Sequence, residues 1–318
     1  QRQVSLLVDR INSLESQLER ERDKNSIIIK TIESTVTSLP LLKPFPVIKS
    51  KETDEHLVMI DISDVHVGEK VEPELTGGLS EYNFGIFKQR GEVYRQGVHR
   101  LVNLHRVMYP VSVLYVNFLG DIVTGEKVFE SQPFQIDLPL LKQVFEGAHF
   151  FANLLRDFSR SFSEVRVQCV GGNHGREKGK HPRTDWDIAV YEMMRILLSE
   201  HKNISIEVSE TSWLAYEIPN HGDFKHILVH GDQAQSSLGV PWYGLERMAG
   251  RLGSMLGLPF DYIHAGHHHN EAMWASNRTE FLVNGSWVGG SDLSVNKMVR
   301  TSRPSQNLYF CHARKGVT

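Results

Sequence analysis

The sequence predicts an α/β layered domain, because two kinds of pattern follow one another along the chain. Short apolar runs rich in β-branched residues, which are typical of buried strands, alternate with longer stretches of helical periodicity between residues 52 and 201. Beyond about residue 203 the pattern consists mostly of strands, interrupted by one helix near 242–256. Alternation of strands and helices is characteristic of layered α/β domains, in which helices cover a sheet.

The individual elements follow from these runs in chain order. The first four expected strands cover residues 56–62, 111–119, 165–170 and 226–230. The three long expected helices, whose apolar residues recur with helical spacing, cover residues 85–108, 136–162 and 184–201. Further strands are expected in the second half of the chain at residues 204–208, 212–218, 280–284 and 308–312.

The composition is that of an ordinary soluble globular protein, with 40% hydrophobic and 23% charged residues among 318. No apolar run approaches the ~18 residues of a membrane-spanning helix, and the N-terminus has no apolar signal segment, so no membrane partner is expected. Only Cys169 and Cys311 are present, which favours a reducing compartment such as the cytoplasm. The net charge of -3 restricts any nucleic-acid contact to a local patch, and sixteen histidines are unusually many.

The residues before the α/β domain divide into two segments. Residues 1–37 predict an N-terminal helix whose apolar seam at 4–18 suits a short coiled coil and homo-oligomer formation, with packing on its own domain as the alternative. The seam consists of Val4, Leu7, Ile11, Leu14 and Leu18. Residues 38–51 hold three prolines, which predict an extended linker before the domain at 52–318. Because residue 1 is Gln, we expect the native chain to start upstream.

Polar residues that could bind a metal follow five predicted strands, where the loops of an α/β sheet collect ligands. The five motifs are Asp64-Val65-His66, Gly120-Asp121, Gly172-Asn173-His174, Val229-His230-Gly231 and Gly266-His267-His268-His269. Each motif alone is common, but together they supply carboxylate, imidazole and amide groups that suit Mn, Fe or Zn. Alternate side chains of an extended segment point to the same side, so the D-x-H and H-x-H spacings are expected to bring two ligands to one metal pair.

This ordered set resembles the calcineurin-like metallophosphoesterase superfamily, whose pattern is D-x-H, G-D, G-N-H-[D/E], H and G-H-x-H. The resemblance spans about residues 57–270 and implies a β-sandwich flanked by helices. It also implies two divalent metal ions as cofactors, with Mn²⁺ expected first and Fe, Zn or Ni as alternatives. It places around one metal the residues Asp64, His66, Asp121 and His269, and around the other Asp121, Asn173, His230 and His267.

The chemistry implied by such a centre needs no serine or cysteine nucleophile. Two metals ~3.5–4 Å apart can share a bridging hydroxide for in-line attack on a phosphodiester. By the same resemblance, His174 would be the general acid that protonates the leaving oxygen. The alternative is a domain that keeps the fold, binds no metal and serves as an interaction scaffold.

Two positions depart from known branches of this superfamily. Ser/Thr phosphatases carry G-D-x-V-D-R-G and G-N-H-E, whereas here Thr124 replaces the second acid and Gly175 follows His174, which disfavours a phosphoprotein substrate. Mre11/SbcD-type DNA nucleases usually have a His and an Asp at these two positions, so the resemblance to them is more distant. Without an acid at Gly175, the residues Asp185 and Asp187 are candidates for orienting the general acid.

A basic segment follows the G-N-H motif and indicates contact with a polyanion, with a solvated lysine-rich loop as the alternative. Its basic residues are Arg176, Lys178, Lys180 and Arg183. Further motifs resemble superfamily members encoded by phages and prophages: Gly172-Asn-His-Gly-Arg176, Pro182-Arg183, Trp186-Asp187, Val229-His-Gly-Asp232, Val283-Asn-Gly-Ser286 and Arg303-Pro-Ser-Gln306. This resemblance implies action on DNA or another nucleotide-derived phosphodiester, in the cytoplasm of a host.

The sequence therefore predicts a metal-dependent phosphodiesterase or nuclease. A phosphomonoesterase or a small-nucleotide phosphodiesterase is the alternative, favoured by a closed pocket too small for a strand. The segment 233–251 is expected to overhang the site and to offer Trp242 and Tyr243 for stacking on a base, with plain packing of the two rings as the alternative.

Overall fold

The structure is a computed structural model that describes residues 36–46, 48–126, 132–176, 185–218, 224–235 and 241–317. Almost all of the predicted N-terminal helix, including its seam at 4–18, lies outside the described residues, and self-association through it stays a prediction. Within the described ranges, no helix combines the length and the apolar character that crossing a membrane requires.

The described residues form eleven strands and five α-helices, numbered in chain order. The strands are β1 (His56–Ile62), β2 (Val111–Phe118), β3 (Glu164–Cys169), β4 (Ile204–Val208), β5 (Trp213–Glu217), β6 (Lys225–Val229), β7 (Tyr262–Ala265), β8 (Ala272–Ser276), β9 (Thr279–Val283), β10 (Leu308–His312) and β11 (Gly316–Val317). The helices are α1 (Phe84–Arg106), α2 (Leu140–Phe158), α3 (Trp186–Leu197), α4 (Trp242–Leu256) and the short α5 (Asp292–Asn296).

The strands form two sheets, each with a parallel centre. The first sheet has the order β11-β10-β1-β2-β3-β4, in which β1 to β4 are parallel and β10 is antiparallel to β1. The second sheet has the order β5-β6-β7-β9-β8, in which β6, β7 and β9 are parallel. Parallel strands end at the same edge of a sheet, so the loops after β1, β2 and β3 emerge together, as do those after β6 and β7.

Strand β1 shows how the layers pack, because both of its faces are buried. Val58 and Ile60 lie in a core shared with helices α1, α2 and α3. Leu57 and Met59, on the opposite face, lie in a cluster with Ile218, which follows β5 in the second sheet. Helix α4 covers the outer face of the second sheet. The predicted β-sandwich flanked by helices is therefore confirmed.

The predicted elements recur with small shifts at their ends. Strands β1, β4 and β10 have the predicted bounds, and helix α1 begins one residue earlier than expected. The sequence does not predict strand β8, because its five residues AMWAS include no β-branched side chain. Strand β8 also lies at the edge of its sheet, where alternate residues stay exposed and no continuous apolar run is required.

Residues 38–46, the first part of the proline-containing segment, form a strap across the ends of two helices. The backbone N–H of Leu39 donates to the carbonyl oxygen of Leu197 at 2.7 Å, at the end of α3. The backbone N–H of Phe45 donates to the carbonyl oxygen of Arg160 at 2.8 Å, just after α2. The strap is thereby attached to the helical layer of the first sheet before the chain enters β1.

A buried polar network links the two sheets beneath the loops that follow β1 and β7. The amide of Asn117 donates to Asp61 Oδ1 at 2.8 Å, and His264 Nδ1 lies 2.8 Å from Asp61 Oδ2. The Nε2 of His264 lies 3.1 Å from Nδ1 of His226, and the Tyr216 hydroxyl donates to Asn117 Oδ1 at 3.1 Å. The network therefore holds β1 and β2 of the first sheet against β5, β6 and β7 of the second.

Replacing Asp61 by Ala is expected to lower the free energy of unfolding by about 2–5 kcal/mol, because the donors of Asn117 and His264 lose their acceptor in a dry core. Urea denaturation followed by circular dichroism measures this change. Asp54→Ala is the matched control, since the side chain of Asp54 is 61% exposed, and its effect should stay within about 0.5 kcal/mol. Equal stability of the two variants would show that the network does not stabilise the sandwich.

Candidate metal centre

The first loop of the site, Asp64-Val65-His66, follows β1 in an unusual backbone conformation. Asp64 and His66 have φ values of 51° and 50°, a left-handed region that is rare outside glycine but enriched in Asp and His. The backbone N–H groups of Val65 and His66 donate to the carbonyl oxygen of Asp121 at 2.9 and 3.0 Å. The explanation of the D-x-H spacing by an extended segment is therefore wrong. Two left-handed residues, held by the neighbouring loop, orient the ligands instead.

Asp121, in the loop after β2, holds the third loop through its carboxylate. Its own φ is also left-handed, at 53°. Oδ1 accepts the backbone N–H groups of Asn173 and His174 at 2.7 and 2.8 Å. Gly172 permits this close approach, because a Cβ at that position would lie 2.1 Å from Oδ1. Oδ2 lies 3.1 Å from Nε2 of His230 and so faces the other ligands.

Two buried acids at the start of α3, Asp185 and Asp187, brace these loops. Asp187 Oδ1 accepts the backbone N–H groups of residues 122–123, and its Oδ2 accepts that of Gly172, each at 3.0 Å. Asp187 therefore accepts hydrogen bonds from backbone N–H groups. It does not orient the imidazole of His174, the role for which the sequence made it a candidate. Asp185 lies where a side chain at position 175 would project, since a Cβ on Gly175 would be 2.3 Å from Asp185 Oδ1. Asp185 therefore occupies the space of the acid that Gly175 lacks.

The second sheet supplies three imidazoles through the loops after β6 and β7. His230 Nδ1 lies 2.7 Å from the carbonyl oxygen of Leu119, which can only accept, so Nδ1 carries the proton. His230 Nε2 then faces Asn173 Oδ1 at 2.9 Å. His267 and His269 have φ values of 69° and 56°, so left-handed backbone, rather than an extended segment, again sets the direction of both ligands.

Three overlapping groups of potential metal ligands result, and within each group the ligand atoms lie within 4.8 Å of one another. The groups are Asp64, His66 and His269; His66, Asp121 and His174; and Asp121, His230 and His267. Nε2 of His269 lies 3.2 Å from Asp64 Oδ1 and 3.2 Å from His66 Nε2. With Asn173 beside His230, all seven predicted ligands converge, and His174 lies next to them.

The chemistry of these donors fits divalent cations. Two carboxylates, one amide oxygen and four imidazoles form a mixed oxygen and nitrogen set that suits Mn, Fe or Zn. The Nε2 atoms of His66 and His269 face each other 3.2 Å apart, which specifically indicates a cation site. Two neutral imidazole nitrogens can share at most one hydrogen, whereas a cation between them would use both lone pairs.

The electrostatics of the site favour positive charge. Burial opposes ionisation of Asp121, yet neighbouring His230 and His174 hold the pKa of this carboxyl well below its usual value. Burial would likewise lower the pKa of His230, but the adjacent Asp121 carboxylate raises it to about 10. Burial, and then the charge of His230, lowers the pKa of His267 to about 4. The carboxylates therefore create a negative potential that attracts cations to the cluster.

Of the predicted substrate-binding residues, Arg176 lies in the described part of the chain. Its Nη1 is 2.6 Å from Asp232 Oδ2, so this ion pair joins the loop after β3 to the loop after β6. Lys178, Lys180 and Arg183 fall within 177–184, outside the described residues, and their role stays a prediction.

The aromatic pair at the start of α4 is exposed rather than packed into the core. Trp242 is 52% exposed and Tyr243 is 82% exposed. The two aromatic rings at the start of α4 are therefore accessible to solvent. At a separate place, Arg300 donates to the carbonyl oxygen of His268 at 2.7 Å, which brings a cation to the H-x-H loop.

Glu69 is a residue of the site that sequence reasoning missed. Its Oε2 lies 3.5 Å from Nδ1 of His66, on the side of the ring away from the ligand cluster. Burial raises the pKa of Glu69 to about 7. The only signal in the sequence that could have identified Glu69 is its position three residues after His66. A glutamate in a loop is usually interpreted as a surface residue, so this signal is weak.

No protein-family model matches this chain, and no curated protein matches it. Among solved structures, vacuolar protein sorting 29 (Vps29) from Cryptosporidium parvum is 15% identical with a TM-score of 0.37, over 81% of this chain and 87% of that chain. Zinc-complexed Vps29 from Entamoeba histolytica is 17% identical with a TM-score of 0.33, over 79% and 84%. Phosphopantetheinyl hydrolase from Mycobacterium tuberculosis is 13% identical with a TM-score of 0.33, over 73% and 91%. Similarities this weak say nothing about activity, which must be inferred from the chain's own side chains.

Replacing Gly172 by Ala is expected to weaken Mn²⁺ binding at least about tenfold, or roughly 1.4 kcal/mol. The new Cβ would lie 2.1 Å from Asp121 Oδ1 and 2.2 Å from Asp121 N, so the third loop must move away from the carboxylate. Isothermal titration calorimetry measures the affinity. Gly97→Ala on helix α1, where a Cβ meets nothing within 4 Å, is the control that should bind normally. Normal binding by the Gly172 variant would show that the loop contact is dispensable.

Proposed function

We propose that this protein is a phosphoesterase that uses two divalent metal ions and hydrolyses phosphodiester bonds, as a member of the calcineurin-like metallophosphoesterases. The observation that carries the proposal is the convergence of two carboxylates, four imidazoles and one amide at the edge where the two sheets meet. Their order along the chain matches the motif order of that superfamily. Manganese is the proposed ion, with iron, zinc and nickel as alternatives that the same donors accept.

The proposed ligands form two sets that share Asp121. One ion would be held by Asp64, His66, Asp121 and His269, and the other by Asp121, Asn173, His230 and His267. Bound ions of this kind polarise phosphate oxygens and lower the pKa of a water that attacks phosphorus. The chain contributes by holding the ligand atoms in place before substrate arrives, through left-handed backbone and hydrogen bonds between loops.

Proton delivery to the leaving oxygen is the role proposed for His174. Its backbone N–H is bonded to Asp121 Oδ1 at 2.8 Å, and its ring meets that of His66 edge-on with centroids 4.4 Å apart. Burial lowers the pKa of His174, whereas the negative charge of a bound phosphodiester acts in the opposite direction. The imidazolium formed beside the substrate would then donate its proton as the phosphorus–oxygen bond breaks.

Nucleic acid, and DNA first, is the proposed substrate class. Arg176 and Asp185, the described residues on either side of the basic segment, pair in a β-bridge beside the third loop. Lysine and arginine side chains there would contact phosphates along a strand. The exposed rings of Trp242 and Tyr243 support the same substrate class, since unpaired bases stack on such surfaces.

Replacing His174 by Ala is expected to slow hydrolysis of bis-p-nitrophenyl phosphate under Mn²⁺ by about 10²–10⁴-fold while Mn²⁺ affinity is retained, because this residue moves a proton and binds no metal. Asp121→Ala should lose both properties. His149→Ala, an exposed histidine of α2, is the control that should keep both.

Two results would contradict this scheme. Equal slow hydrolysis by the native protein and by Asp121→Ala would exclude catalysis at this centre. Loss of Mn²⁺ from the His174 variant would make His174 a ligand rather than the acid.

Cleavage rates under Mn²⁺ for single-stranded, duplex and nicked DNA, RNA and cyclic nucleotides are expected to be highest with DNA. Neutralising Lys178, Lys180 and Arg183 together should weaken DNA binding and reduce the slope of log affinity against log salt by about 2–3, because each lost phosphate contact removes ~0.7–0.9.

The control triple variant neutralises three exposed lysines at the opposite edge of the fold, Lys49, Lys51 and Lys202. An unchanged salt slope in the first triple variant would remove the basic segment as the DNA contact. Turnover restricted to cyclic nucleotides or monoesters would favour the small-substrate alternative.

A further inference from the structure

The two ring nitrogens of His66 face different surroundings. Nε2 faces the ligand cluster, 3.2 Å from Nε2 of His269 and 4.0 Å from Asp121 Oδ2. Nδ1 faces the opposite way and is buried, with Glu69 Oε2 at 3.5 Å. The side chain of His66 is 0% exposed and that of Glu69 is 13% exposed, so water has little access to this contact. A separation of 3.5 Å exceeds an ordinary N–H···O hydrogen bond by about 0.5 Å, which a small side-chain rotation closes.

The position of Glu69 behind the ring is built by a tight turn. The backbone N–H of Glu69 donates to the carbonyl oxygen of His66 at 3.0 Å. Gly68 makes the turn with a φ of 86°, and a Cβ there would lie 2.6 Å from Gln143 Cγ. The Thr124 side chain lies beside the Glu69 carboxylate. The turn therefore places the Glu69 side chain behind the His66 ring, on the side of Nδ1.

We propose that Glu69 is a positioning residue for the metal ligand His66. Its carboxylate accepts the Nδ1–H of the imidazole and holds the ring with Nε2 directed at the metal position. This inference rests on the proposed function, because it requires that His66 binds a metal. Histidine ligands commonly donate their second N–H to a carboxylate, which sets the tautomer and makes the ligating nitrogen a stronger donor.

A direct ligand role for Glu69 is the competing possibility, and the geometry argues against it. In the described residues, the groups whose ligand atoms lie within 4.8 Å of one another contain His66 in two cases and Glu69 in none. Glu69 faces Nδ1 of His66, the nitrogen turned away from His269 and Asp121. The imidazole ring therefore stands between Glu69 and the metal position.

The test measures metal affinity as well as activity. Glu69→Ala is expected to weaken binding of the more weakly held Mn²⁺ by about 10–100-fold in isothermal titration calorimetry, with two ions still bound at saturation. Glu69→Gln, whose amide oxygen can still accept the Nδ1–H, should lie closer to the native protein than Glu69→Ala. Glu72→Ala is the matched control, because Glu72 is an acid of the same loop whose side chain is 47% exposed. Electron paramagnetic resonance of the bound Mn²⁺ provides a second readout, which should change in Glu69→Ala.

The outcomes separate this inference from the function on which it rests. If the native protein binds no Mn²⁺, the proposed function fails and the inference fails with it. If the native protein binds two ions and Glu69→Ala binds them with equal affinity and an unchanged spectrum, the inference alone is refuted. If the variants bind one ion instead of two at saturation, Glu69 is itself a ligand, and the positioning role is refuted. Circular dichroism of the metal-free variants verifies that they are folded in each case.

Discussion

The main chain and side chain of Asp121 hold three loops of the site in one arrangement. Its carbonyl oxygen accepts the N–H groups of Val65 and His66, and its Oδ1 accepts those of Asn173 and His174. A single residue of the loop after β2 therefore fixes the positions of the loops after β1 and β3. Its Oδ2 stays directed at the ligand cluster. A carboxylate that accepts two backbone N–H groups is also stabilised in its charged form, which is the form that a cation attracts.

This arrangement requires backbone conformations that the chain would otherwise avoid. The proposed ligands Asp64, His66, Asp121, His267 and His269 all have a left-handed φ. Each such residue costs about 1–3 kcal/mol and persists only where its surroundings determine it. The surroundings here are strands buried on both faces, of which β1 is the clearest case. A rigid sandwich thus keeps the ligand atoms at distances that a free loop of the same sequence would not hold.

The site also depends on how the two sheets face each other. The first sheet contributes the carboxylates, His66 and Asn173, and the second contributes His230 and the H-x-H pair, so neither sheet alone has a complete set of the proposed ligands. Two interactions between the sheets keep these halves in register. The buried contact of Asp61 with His264 lies beneath the site, and the ion pair of Arg176 with Asp232 lies at its rim. The contacts that stabilise the two sheets against each other therefore also set the geometry of the ligand cluster.

Local sequence determined most of the strands, the long helices and the types and order of the proposed ligands, because hydrophobic periodicity and strand-end motifs are properties of neighbouring residues. Tertiary structure alone decided the left-handed backbone of the D-x-H and H-x-H loops, the carboxylate of Asp185 in the space beside Gly175, and the position of Glu69 behind His66. These features arise from hydrogen bonds and close approaches between residues far apart in the chain, such as Asp64 and His267, which are 203 positions apart. A spacing rule cannot include such partners, because φ at a ligand is set by the loop that it contacts in space.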